Sequence, residues 1–72
     1  MEIYENRDNK EIWDDENGNE LNITVKDLKS GDILHLAEMP FDRYEDGVGF
    51  IHHTGMMKWD GSQFVDLYED DL

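Results

Sequence analysis

Val48 to Tyr68 reads VGFIHHTGMMKWDGSQFVDLY, and Glu69-Asp70-Asp71 follows at once. Two runs rich in β-branched, aromatic and Met residues flank Asp60-Gly61. Asp-Gly between such runs signals a β-hairpin, because a type I′ turn requires positive φ at both central positions. With a two-residue loop, Trp59 faces Ser62, Met57 faces Phe64, Met56 faces Val65 and His53 faces Tyr68. Alternation then sets Ile51, His53, Met57, Trp59, Phe64 and Tyr68 on one face and Phe50, Met56, Val65 and Leu67 on the other. A hairpin apolar on both sides requires cover on both. It either curls into a small barrel, with the bend at Gly55, or meets a second copy of the chain, and a homodimer that covers the second face through Phe50, Met56, Val65 or Leu67 is expected.

Upstream, Leu21, Ile23 and Val25 alternate with Asn22, Thr24 and Lys26, the pattern of a strand with one buried face. Asp27 to Asp32 reads as a tight connection, a single helical turn closed by Gly31. Ile33 to Ala37 forms the next strand, with His35 inside it. Ile3, Tyr4, Ile12 and Trp13 mark one or two short strands near the start, and Asn17-Gly18 is a second hairpin turn, wrapped in carboxylates. Glu38 to Gly47, EMPFDRYEDG, reads as a loop because Pro40 opposes a central strand. The expected fold is all-β: one domain over 1–72, a small SH3-like barrel or curled antiparallel meander of about five short strands.

The chain holds 72 residues and no Cys, so a small core must stabilise it without disulfides. Absence of Cys fits a reducing compartment, and there is no signal-peptide apolar region and no run approaching a membrane span. A cytoplasmic protein is expected. Nineteen acidic residues against six basic ones give a formal charge of −13. Solubility asks for a magnitude of roughly 2–8 in a small domain, so the excess points to a cationic partner that offsets self-repulsion. The same charge argues against direct nucleic-acid binding.

His52-His53, with His35, is the natural metal suspect. Adjacent strand residues point to opposite faces, and no Cys or spaced third ligand completes a zinc set, so these histidines read as structural and no metal or cofactor is expected. Glu69-Asp70-Asp71 lacks the ordered Asp-x-Asp-x-Asp-Gly loop of a calcium site. A chain this short has little volume for a water-excluding cleft, and no nucleophile stands in a recognised setting, so no enzyme is expected.

Leu28-Lys29-Ser30-Gly31-Asp32-Ile33-Leu34, then Phe50 to Met56, then Trp59-Asp60-Gly61 through Phe64-Val65, resemble the cadence of the NlpC/P60 papain-like hydrolases. In that comparison His53 stands at the place of the catalytic His. Those enzymes use a Cys nucleophile in a longer domain, so the resemblance implies a shared way of making β-turns.

In size, charge and lack of Cys the chain is also similar to phage-encoded DNA-mimic inhibitors, among them the early proteins that block bacterial histone-like HU. The resemblance implies carboxylates presented where DNA presents phosphates. Outward residues of a strand lie ~6.6–6.8 Å apart, of the order of the spacing between successive phosphates. The residues expected to act this way are Asp14, Asp15, Glu16 and Glu20; Asp42, Glu45 and Asp46; and Asp66, Glu69, Asp70 and Asp71. The alternative is an SH3-like adaptor module that binds a basic peptide through Trp13, Tyr44 or Trp59.

Overall fold

The computed structural model describes the backbone of residues 1–71 and side chains through Asp70. The described residues form seven strands: β1 (Glu2–Glu5), β2 (Trp13–Asp14), β3 (Glu20–Leu21), β4 (Ile33–His35), β5 (Phe41–Glu45), β6 (Gly49–Trp59) and β7 (Phe64–Tyr68). There is no α-helix among the described residues, only 3-10 turns at Val25–Asp27 and Glu69–Asp71.

The eleven-residue β6 organises the rest. Its odd positions turn inward, with His53 and Trp59 buried, while Phe50, His52 and Lys58 are exposed. β7 pairs with it in the register Trp59↔Phe64, Lys58↔Val65, Met57↔Asp66, Met56↔Leu67 and His53↔Tyr68. The expected two-residue turn is therefore a four-residue loop. Asp60 Oδ1 accepts from the Ser62 and Gln63 backbone N–H groups and from the Ser62 hydroxyl, and the Asp60 N–H donates to Gln63 O. Only Gly61 has positive φ (110°), whereas a type I′ turn demands it of Asp60 too. The slip is two residues, so every side chain keeps its face. A bulge at Thr54-Gly55 absorbs it and restores the expected His53↔Tyr68 pair.

The segment after Pro40 is a strand rather than a loop. β5 pairs with the first half of β6, from Phe41↔His53 to Glu45↔Gly49, through the turn Asp46-Gly47-Val48. Pro40 is tolerated because it lies just before the strand, where no ladder donor is needed. His53 pairs with both Phe41 and Tyr68, and Met56 with both His35 and Leu67. Hence β4 and β5 follow one another along one edge of β6 and β7 takes the other.

β1 lies between β4 and β2, parallel to the first (Ile3↔Leu34) and antiparallel to the second (Glu5↔Trp13), and β3 closes that side. The sheet is thus mixed and open. The expected closed, SH3-like barrel does not form, nor does a wholly antiparallel meander, because β3 and β7 do not pair and β1–β4 is parallel.

The alternating Leu21–Val25 stretch stops being a strand after Leu21. Thr24 and Asp27 form a reciprocal capping box that starts a 3-10 turn and leaves Val25 exposed. The helical turn expected at Asp27–Asp32 therefore occurs two residues earlier. Ile23 still packs on the core of Ile3, Leu28, Leu34 and Trp59, along with Trp13, Leu21, Leu36, Met57 and Phe64. Buried Asp32 joins this layer to the chain start. It accepts from the Met1 amine (2.8 Å) and the Lys29 N–H (2.8 Å), which hold its carboxyl below the usual range.

Candidate functional site

The first acid group sits on the β2–β3 hairpin. Its five-residue loop, Asp15 to Asn19, carries Gly18 at φ 85°. Asp15 Oδ1 accepts the backbone N–H groups of Asn19 and Asn17, which hold its carboxyl below the ordinary value, the Asn19 bond contributing most. Asp14 accepts from Asn6 Nδ2 at 3.0 Å. Asp15 thus serves the turn and Asp14 the connection after β1, while Glu16 and Glu20 face solvent.

The other two groups come together at the far end of β6. Asp42 on β5 bonds His52 across the ladder at 2.7 Å. The imidazole pKa is raised, first by that hydrogen bond and Asp42's charge, then by the charges of Glu69 and Asp70. Arg43 donates to the Tyr68 hydroxyl (3.2 Å) and to Asp66 Oδ2 (3.1 Å). Its pKa is raised, chiefly by the Tyr68 hydroxyl, with Asp66 and Glu45 adding. Residues 42–46 and 66–70 thus make one acidic end in which Arg43 and His52 are embedded. Glu45, Asp46, Glu69 and Asp70 are exposed there. Asp71 ends the second 3-10 turn, and its side chain lies outside the described residues.

A cleft of about 430 Å³ opens beside this end, lined by Pro40, Phe41, Asp42, His52, His53, Thr54 and Glu69. His53 is 2% exposed, its ring stacked on Phe41 (4.2 Å between centroids) and edge-on to Tyr68. Its Nδ1 accepts the Gly55 N–H at 2.8 Å, which leaves the proton of a neutral ring on Nε2, 3.4 Å from Asp66 Oδ1. His53 therefore anchors the bulge. His35 stacks on Tyr4 (4.2 Å) and bonds Glu2. No group of three or more His, Cys, Asp or Glu among the described residues is arranged to hold a metal ion.

Of the aromatic candidates, Trp59 is buried in the core and unavailable to a partner. Trp13 is half-buried and lines a second cleft of about 400 Å³ with Ile12, Leu21 and Ile23, and with Glu11 and Glu20. Tyr44 is 62% exposed and meets Phe50, 73% exposed, edge to face at 5.4 Å. This cross-strand pair escapes the sequence reading, which leaves Tyr44 in a loop. Phe41 to Glu45 carries no apolar–polar alternation, so nothing local in the sequence marks the strand. On the same outer face Val65 is exposed, while Met56 and Leu67 are half-buried.

No family model, curated protein or solved structure matches the chain.

Proposed function

We propose that this protein is an acidic DNA mimic that occupies the DNA-binding surface of a basic protein. The histone-like protein HU is the first partner to test, in the manner of a phage-encoded inhibitor acting in the host cytoplasm. The observation that carries the reading is the convergence of residues 42–46 and 66–70. Two acid groups remote in sequence share one end of the sheet, and the chain as a whole holds −13. Basic DNA-binding proteins gain most of their non-specific affinity by neutralising phosphates, and the same cationic groove accepts a dense set of carboxylates.

The test is displacement of labelled duplex DNA from purified HU. Displacement should weaken steeply with added salt, since one cationic surface holds both ligands. Replacing Glu45, Asp46, Glu69 and Asp70 by Gln or Asn should cost roughly 1–4 kcal/mol of binding, at ~0.2–1 kcal/mol for each exposed ion pair. Failure to displace DNA at low salt counts against mimicry.

A second reading rests on the Trp13 cleft, whose apolar floor and paired carboxylates suit a basic peptide. Under it, Trp13→Ala abolishes binding while the acidic end is dispensable.

A further inference from the structure

We propose that the outer face of the β5–β6 hairpin, centred on Tyr44 and Phe50, is a docking surface for arginine side chains of a basic protein. The inference rests on the partner being basic, as argued above, and names the surface and the recognition chemistry. Phe50 and Tyr44 stand opposite each other in the ladder, more exposed than any other aromatic residue described, and Val48 beside them is 69% exposed. Exposed aromatic rings on a solvated sheet face mark contact surfaces, since they gain nothing there from the core.

Charge selects the occupant. Along the same face, two residues from Tyr44 and Phe50, lies the Asp42–His52 pair, and Glu69 lines the cleft beside it. A second copy of the chain would bring this set of carboxylates against its own likeness. A cationic surface meets both components: guanidinium planes stack on aromatic faces while the carboxylates accept their N–H groups. Arginine is favoured over lysine because its flat, weakly hydrated cation stacks and bonds at once.

The test measures the affinity of the intact protein for labelled octa-arginine and octa-lysine by fluorescence anisotropy. At equal charge, octa-arginine should bind more tightly, by about two- to five-fold for each ring engaged. Phe50→Ser with Tyr44→Ser should erase that preference and leave the salt dependence in place, because the carboxylates are untouched. Phe50→Leu keeps apolar bulk in the strand and removes the ring, so it should lower the preference in a fully folded chain. Equal affinity for the two peptides, or indifference to these substitutions, overturns the proposal. So does a concentration-dependent dimer that Phe50→Ser converts to monomer, because it gives the face to a second copy. If the substituted protein displaces DNA from HU as well as the parent, the surface falls and mimicry stands. If the arginine preference holds while DNA is never displaced, mimicry falls and the surface stands.

Discussion

Gly55 shows how one residue sets the geometry of the site. Its φ is +80°, a side chain there would overlap Met39 Cβ, and its N–H fixes the tautomer of His53. Its carbonyl also accepts from Leu36 N–H, at the point where β4 gives way to the connection into β5. Gly55→Ala should destabilise the fold by roughly 2–5 kcal/mol, combining ~1–2 kcal/mol for a left-handed non-Gly residue with ~1–3 kcal/mol for overpacking. Total stability for a domain of this size is about 4–11 kcal/mol, so chemical denaturation should show a large drop or outright unfolding. A midpoint unchanged from the parent would mean that the bulge does not depend on Gly55. The bend at Gly55 was legible in the sequence because a lone Gly interrupts an apolar strand run. The role of His53 was not, since stacking on Phe41 requires a strand that Pro40 seemed to forbid.

Among the elements, the β2–β3 and β6–β7 hairpins were found from their turn residues, and their loops exceed the two-residue minimum for a single reason. Asp15 and Asp60 use their carboxylates as backbone acceptors, which adds residues to each loop beyond the minimum. One candidate mimic acid, Asp15, is diverted in this way and another, Asp14, is taken by the Asn6 side chain, while Glu16 and Glu20 are not. A pH dependence follows from Asp60. Its carboxyl is held low by the N–H groups of Ser62 and Gln63, so it lies below the unfolded value near 3.8. The stabilisation is present above that value and is lost as pH falls through the lower, folded one. Asp60→Asn keeps an acceptor oxygen in the turn but cannot titrate. Melting curves of the parent and this variant should therefore converge as pH is lowered from 5 to 2.5, and a constant gap would show that the turn does not sense the charge. The capping box that ends the Leu21–Val25 alternation follows the same logic: a local carboxylate, Asp27, outbids a strand pattern.

At the level of the whole molecule, charge was legible and topology was not. The principal extents are 40 × 26 × 18 Å, and a net −13 is spread over that slab. Several cations are already engaged, Arg43 with Asp66, Lys10 with Glu38 and the Met1 amine with Asp32. The remaining repulsion should be screened by salt, so the melting temperature should rise from low ionic strength to about 0.5 M as the Debye length contracts from tens of Å to a few Å. A flat profile would mean that the acids are neutralised within the fold and need no outside cation. The open sheet escaped the sequence reading because the parallel contact of β1 with β4 joins residues about thirty apart and leaves no local signature. That contact divides the chain into two halves built from near neighbours. Residues 2–21 form a three-stranded ribbon and residues 33–68 a four-stranded assembly. Their joint is a three-residue seam, Glu2↔Ile33 to Tyr4↔His35. β1 pairs locally with β2 on one edge, so its other edge can be covered only by a segment about thirty residues further along, and the sheet is continuous only through that seam.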